Sequence, residues 1–329
     1  MSAVLNEVAA ALRRKSLFAL RTHVQPDGDA LGSLLALGAA LEQMGKSVVY
    51  CAESSERLSF LPGYEKVGRV SDSGSVESAP VEVVIYLDCA TQDRSLEGKE
   101  TSTRNKERNT RALVINIDHH VSNEGFGDIQ WIDTGASSVG EMLWLLFQEL
   151  GIVIDETIAA NLYVSIINDT GQFAFSNTTQ RTHEVAGALI SHEIGVSNLH
   201  KKVFYEKSRE QTKLLGRALA NLSFLDEGEV AVMYLSRDDF DAVGIDDDCE
   251  GFIAQAMNIR GVQTAVFVKE KDPQMCKVSF RSRRIDVNRV AAQFGGGGHV
   301  RASGCTLKMP LAQALPLLRE VLEKAEGDG

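Results

Sequence analysis

Aromatic residues make up only 6% of this 329-residue chain, so whatever core it builds is mainly aliphatic. Cysteine is sparse too. Cys51, Cys89, Cys249, Cys276 and Cys305 are odd in number, widely spaced and free of any C-x-x-C pair. That pattern excludes a disulfide framework and a thiolate zinc site, and reads as the reduced thiols of a cytoplasmic protein. Long apolar runs are missing. The longest, Leu34–Leu41 and Met142–Phe147, fall well short of the roughly 20 residues that a membrane-spanning helix needs. Met1–Arg14 lacks the basic-then-apolar order of a secretory signal, so neither a membrane nor export is expected. An excess of basic charge is absent as well: Lys+Arg number 34 against 45 Asp+Glu, a net charge of −11. Such a balance argues against coating long nucleic acids, because that affinity comes from neutralising many phosphates. A short phosphorylated ligand held by a few local cations is not excluded.

What is present is ordinary globular material, 44% hydrophobic and 24% charged, enough for about two domains at roughly 150 residues each. The first half alternates strand-like runs (Leu17–Thr22, Val48–Cys51, Val83–Leu87, Leu113–Ile117) with helical patterns at Ala30–Met44, Ser138–Leu150, Glu156–Ile167 and Thr179–Ser191. Alternation of this kind predicts an α/β domain with a parallel sheet covered on both sides, whose ligands gather beyond the carboxyl ends of the strands. The polar stretches Ser71–Pro80 and Asp93–Arg111 read as surface loops. Glu206–Lys213 is polar on every face of a helix, which places a helical linker at 196–222 between a domain at 1–195 and a second at 223–329. The second domain mixes strand patterns (Val230–Leu235, Thr264–Val268, Lys277–Phe280) with helical ones (Cys249–Met257, Asp286–Phe294, Leu311–Ala325) and is expected to be a smaller α+β unit.

Acidic and imidazole residues fall where the first domain's strands end. His23, Asp27 and Asp29 follow the first strand in His-Val-Gln-Pro-Asp-Gly-Asp-Ala-Leu-Gly-Ser; Asp88 ends the strand at Val83–Leu87; Asp118-His119-His120 end the strand at Leu113–Ile117. Asp169 closes the helical pattern Ala160–Asn168. Four or five aspartates meeting at one sheet edge would repel one another, and bound cations are the natural compensation. Carboxylates with some imidazole suit Mn²⁺ better than a structural zinc site, with Mg²⁺ or Co²⁺ as alternatives. The cluster exceeds the needs of one ion; two, roughly 3.5–4 Å apart, form the arrangement used for in-line phosphoester hydrolysis. In the second domain, Gly295-Gly296-Gly297-Gly298-His299 offers main-chain amides that could cradle a phosphate. Upstream, Arg281-Ser282-Arg283-Arg284 carries guanidinium groups suited to bidentate phosphate recognition.

Taken in order, His23-x-x-Pro26-Asp27-Gly28-Asp29-Ala30-x-Gly32-Ser33, Leu87-Asp88, Asp118-His119-His120, Asn168-Asp169-Thr170-Gly171 and Gly295–His299 with Ala302-Ser303-Gly304 resemble the DHH/DHHA1 phosphoesterase superfamily over nearly the whole chain. Within it, the sequence is most similar to the short oligoribonuclease/pAp phosphatase branch. The resemblance implies an N-terminal DHH domain and a C-terminal DHHA1 domain. It implies one Mn²⁺ on His23, Asp27 and Asp88 and a second on Asp29, Asp88, His119 and Asp169. By the same resemblance His120 faces the scissile phosphate, Asp118 orients a ligand, and Arg281, Ser282, Arg283, Gly296, Gly297, Gly298 and His299 hold the substrate. The implied partner is a short RNA or a nucleotide, with a homodimer left open. Cyclic or linear dinucleotide phosphodiesterase, RecJ-like exonuclease, inorganic pyrophosphatase and a non-catalytic nucleotide sensor are the rival readings.

Overall fold

The computed structural model describes residues 3–68, 81–92, 112–246, 249 and 251–327. The expected loops at Ser71–Pro80 and Asp93–Arg111 therefore lie outside the described residues. The chain divides into two compact units, Met1–Glu206 and Lys207–Gly329. Among the described residues no helix is long and apolar enough to cross a membrane.

In the first unit, α1 (Ala3–Arg14), β1 (Leu17–Arg21), α2 (Gly28–Gln43), β2 (Ser47–Cys51), β3 (Val83–Leu87), β4 (Leu113–Asp118) and β5 (Ile129–Ile132) precede α3 (Val139–Leu150), α4 (Glu156–Asp169), α5 (Gln180–Ile190) and α6 (Val196–His200). The five strands run parallel in the order β2-β1-β3-β4-β5. All five residues of β3 are buried, as its continuous apolar run anticipates. The order reverses between β1 and β3, and at such a switch point the loops leaving the two strands part and open a crevice. The loop after β1 carries His23 and Asp27, and Asp88 follows β3, so topology alone brings them to that crevice. Helix α1 and strand β5 are additions to the expected elements; α1 buries Leu5, Val8, Ala9 and Leu12 at helical spacing, and β5 is only four residues long.

Helix α2 is apolar nearly all round because it runs between the sheet and α4, burying Leu31, Leu34, Leu35, Leu37 and Leu41. It packs against α4 at Gly32, where a Cβ would lie 2.5 Å from the Asn161 carbonyl oxygen and 3.2 Å from the Ser165 amide nitrogen. Alanine favours a helix over glycine by about 1 kcal/mol. Here the obstruction is backbone, which cannot swing aside, so Gly32→Ala is expected to destabilise by about 2 kcal/mol. Urea unfolding of the cation-free protein checks the sign; a gain in stability would mean that α2 and α4 separate freely.

The second unit comprises α7 (Arg209–Ala220), β6 (Ser223–Leu225), β7 (Val230–Leu235), α8 (Arg237–Val243), α9 (Phe252–Met257), β8 (Thr264–Asp272), β9 (Met275–Ser282), α10 (Val287–Ala292), β10 (Gly297–His299), β11 (Ala302–Leu307) and α11 (Leu311–Gly327). Its sheet has the order β10-β11-β9-β8-β7-β6, parallel only between β7 and β8. Alternating residues feed two cores. Val266, Val268, Val278 and Phe280 pack with Val290 of α10 and Leu318 and Leu322 of α11. Met233, Leu235 and Phe267 pack with Leu214 of α7, Phe240 of α8 and Phe252 of α9.

The stretch 196–222 differs from the expected single linker helix. Helix α6 passes into a π-helical turn at Lys201–Tyr205, Glu206 is extended, and α7 starts afresh at Arg209. Leu199 and Val203 belong to the first unit's core, whereas Leu214 and Ala218 belong to the second's. The window Glu206–Lys213 straddles this break, and the narrow stripe Gln211, Leu214, Ala218 begins only inside it. The all-polar reading was an effect of where the window fell.

Candidate metal centre

Eight of the residues singled out in the sequence meet beyond the strand ends of the first unit. Asp27 is the N-cap of α2, its Oδ1 accepting hydrogen bonds from the Asp29 and Ala30 amides at 3.0 and 3.1 Å. Its carboxylate also stands within one group with His23 and Asp88 that could hold a cation. Asp29 is fully buried at the N-terminus of α3, where the Val139 amide donates to its Oδ2 at 2.9 Å. The Ser33 and Ser165 hydroxyls donate to its Oδ1 at 2.9 and 2.5 Å. Helix-terminal amides suit an anion, and here they and two hydroxyls fix this carboxylate.

Asp88 is buried and left-handed at φ 58°, a conformation that Asp tolerates better than most residues. Its Oδ2 lies 3.4 Å from His23 Nε2, and its Oδ1 lies 3.6 Å from His119 Nε2 and 3.5 Å from His120 Nδ1. His119 Nε2 is also 3.0 Å from Asp169 Oδ2, at the last residue of α4, and 3.6 Å from Asp29 Oδ2. Three sets of side chains have ligand atoms mutually within 4.8 Å: His23 with Asp27 and Asp88; Asp29 with His119 and Asp169; Asp88 with His119 and His120. Asp118 belongs to none of them. Its Oδ1 meets His120 Nδ1 at 2.7 Å and accepts from the His119 amide at 2.9 Å, while the Asn123 amide donates to its Oδ2 at 2.5 Å. It orients the His120 imidazole and holds the His119 backbone instead of facing the centre; His119 Nδ1 meets the Ala136 carbonyl at 3.3 Å.

Two observations test whether cations fit. Asp88 Oδ1 and His119 Nε2 are buried without a hydrogen-bond partner, which a folded protein tolerates only where something else satisfies them. The donor set is also oxygen and imidazole nitrogen throughout, the chemistry of a divalent first-row cation or Mg²⁺. Both fit.

Without cations the charges must share protons. Burial would lower the His23 imidazole, but its hydrogen bond to Asp88 and the charges of Asp88 and Asp27 push it up to about 9. His119 is likewise opposed by burial, yet Asp169, Asp88 and Asp29 raise it to about 12. Burial, then the charges of Asp88 and Asp169, raises Asp27 to about 7. Asp88 runs the other way: burial is outweighed by the close approach of the His119, His23 and His120 imidazoles and their charge, so it stays ionised below the usual carboxylate range.

The remaining sequence-predicted residues lie in the second unit. Arg281 is exposed on β9 between Ala265 and Ala302, with Nη1 donating to the Phe280 carbonyl at 2.9 Å. Arg283 is exposed and donates to the Val262 carbonyl at 3.1 Å. Ser282, expected to touch substrate, is buried instead. Its hydroxyl accepts the Arg284 and Ile285 amides at 3.0 and 2.9 Å and meets Thr264 Oγ1 at 2.9 Å, so it closes a turn. Gly297, Gly298 and His299 pair with Gly304, Ser303 and Ala302 as a strand. Cβ atoms at Gly296 and Gly298 would collide with the main chain of β11, so at those two positions the close approach is to the protein's own backbone.

Family membership follows from this arrangement together with sequence likeness. Residues 18–166 match the DHH family, N-terminal domain, and residues 212–327 match the DHHA1 domain. Over 313 residues the chain is 32% identical to the bifunctional oligoribonuclease and PAP phosphatase NrnA of Thermus thermophilus, covering 93% of this chain and 90% of that one. The chain belongs to the DHH/DHHA1 family. A second relative, the bifunctional oligoribonuclease and PAP phosphatase NrnA of Bacillus subtilis, is 33% identical over 294 residues, covering 88% of both chains. Among solved structures, an exopolyphosphatase-related protein from Bacteroides fragilis superposes with a TM-score of 0.89 at 26% identity, covering 98% of this chain and 96% of that one. The DHH unit thus holds His/Asp groups that could bind cations, and the DHHA1 unit carries the arginines and glycines.

Some of the centre's supporting residues give no signal in the sequence. Asn123 holds Asp118, and Ser165 and the Val139 amide hold Asp29 across as many as 136 positions of chain. No local spacing announces such partners.

Proposed function

We propose that this protein hydrolyses short oligoribonucleotides and 3′-phosphoadenosine 5′-phosphate with two Mn²⁺ ions. One ion would be held by His23, Asp27 and Asp88 and the other by Asp29, Asp88, His119 and Asp169. What carries the reading is identity of 32–33% across about nine-tenths of both chains with two bifunctional oligoribonucleases and PAP phosphatases, joined to a ligand cluster with no member missing. Bound divalent cations supply charge stabilisation at phosphorus and a water of lowered pKa. The chain's own side chains do the rest. Asp118 holds Nδ1 of His120 and so aims that imidazole as a hydrogen-bond donor to a phosphate oxygen. The amide at the start of α3 holds the Asp29 carboxylate in register. A net charge of −11 disfavours a long polyanion, which fits substrates of a few nucleotides.

The purified protein with Mn²⁺, offered pAp, RNA dimers to pentamers, cyclic dinucleotides, pyrophosphate and long single-stranded DNA, tests this. Turnover of pAp and the shortest RNAs supports the reading. Turnover confined to pyrophosphate, to cyclic dinucleotides or to long DNA replaces it with the corresponding rival. On the accepted substrate, Arg281→Ala is expected to raise KM by about tenfold with kcat little changed, as lost substrate binding does. A fall in kcat at constant KM would instead place the guanidinium on the transition state.

A further inference from the structure

Exposed large apolar side chains are few in the described part of the first unit, and three of them border the metal centre. Val24 follows His23, Val121 follows His120, and Phe175 stands in the loop after Asp169, with the Phe side chain 61% exposed. This loop is built to present one ring inward and one outward. Gly171, Gln172 and Phe173 are consecutively left-handed at φ 53°, 61° and 66°, an unfavourable run for the two residues with side chains. Thr170 holds it: its Oγ1 accepts from the Phe173 amide at 3.1 Å, and its carbonyl accepts from the Ala174 and Phe175 amides, both at 2.9 Å. The Asn177 amide side chain donates to the Asp169 carbonyl at 3.1 Å and the Ser137 carbonyl at 3.0 Å, tying the far end of the loop to the ligand residue itself. Phe173 turns inward, stacking on His183 at 5.0 Å between centroids. Phe175 turns outward and lies over Gly171, where any Cβ would collide with its ring.

We propose that the Phe175 ring is a stacking platform for a nucleobase of the substrate, positioning the adjoining phosphate at the metal centre. Gly171 is two residues from Asp169, so their Cα atoms are at most about 7.6 Å apart, and the ring over Gly171 is within one nucleotide's reach of the ligands. The polar centre suits a phosphate, while the flat, solvent-exposed ring, carried on a hydrogen-bonded loop beside it, offers a π face. A ligand offering both, side by side, is a nucleotide. Stacking tolerates any base, so the platform selects for the presence of a base and not for its identity. The inference deepens the function proposed above and rests on it for the substrate class.

Calorimetric binding of AMP and of ribose 5-phosphate, each with Mn²⁺, separates the base from the phosphate. The wild type is expected to prefer AMP by about tenfold or more, Phe175→Ala to lose most of that preference without weakening ribose 5-phosphate, and Phe175→Trp to restore it. On an RNA dinucleotide, Phe175→Ala is expected to raise KM by about tenfold with kcat nearly unchanged. A preference for AMP that survives in Phe175→Ala overturns the proposal. So does an equal loss for both ligands, which marks a structural role, or a wild type with no preference. Should the wild type hydrolyse no oligoribonucleotide, the functional reading falls, and the calorimetry still decides the stacking.

Discussion

Asp88→Asn lowers kcat/KM by about a thousandfold or more while the protein stays folded, the largest single-residue effect expected here. The substitution is nearly isosteric, and Asn accepts the left-handed backbone at φ 58° as readily as Asp, so the turn after β3 is retained. What is lost is one buried negative charge that two of the three ligand groups share. That charge also sustains the imidazolium forms: His23 reaches about 9 chiefly through Asp88 once burial is overcome. In the variant the His23 imidazole should therefore titrate well below 9, which proton NMR reads directly, while circular dichroism verifies the fold. Turnover within tenfold of wild type at saturating Mn²⁺ would falsify the ligand role of Asp88. Lost activity with an unmoved His23 titration would place the defect elsewhere.

The second large effect is on proton balance. At neutral pH the cation-free centre holds protons on His23 (about 9) and His119 (about 12), and a partial one on Asp27 (about 7), while burial and the charges of Asp88 and Asp169 raise Asp29 well above the usual carboxylate range. A coordinating nitrogen or carboxylate must give its proton up, so filling both ligand groups at pH 7 should release more than about two protons. Apparent Mn²⁺ affinity should then climb with pH by about tenfold per unit for each proton displaced, flattening as His23 passes about 9. Titration calorimetry in buffers of different ionisation enthalpy, from pH 6 to 9, measures both. A pH-independent affinity without proton uptake by the buffer would sink the assignment.

Stability follows the same sign. His23 is raised above its ordinary 6.5, so its contribution to the cation-free fold is complete below that value and is lost as pH rises through about 9. Asp27 is raised as well, and its contribution is lost earlier, on passing about 7. The cation-free Tm should thus fall on the alkaline side. If the proposed ligands take Mn²⁺, the ion is expected to oppose the fall, since only the folded centre assembles them.

Much of this centre was legible before any fold was known. Carboxylates and imidazoles at the ends of β-branched runs announce a cation site, since a parallel sheet sends those ends to one edge. All six proposed ligands, with Asp118 and His120, do come together there. Reading by sequence fared less well where meaning depends on a partner. Asp27 is expected as a ligand, and the structure adds that it is the α2 N-cap while standing in one group with His23 and Asp88. Ser282 looked like a substrate contact from its arginine neighbours, but strand pairing with β8 buries it against Thr264. The glycine run suggested close approach to a ligand; at Gly296 and Gly298 the approach is to β11. Phe173 and Phe175 are alike in sequence, and only the left-handed run before them sends one inward and the other out.

By itself the sequence determined the ligand chemistry and the parallel α/β layout of the first unit. Those follow from residue type and from strand ends, which are local properties. The tertiary structure alone decided which charges are buried, which oxygens are already taken and which ring faces water. Asp29 is the plainest case. Its carboxylate is fixed by α3 amides 110 positions away and by Ser165 on α4, partners that reach it only because Gly32 lets α2 and α4 touch backbone to backbone.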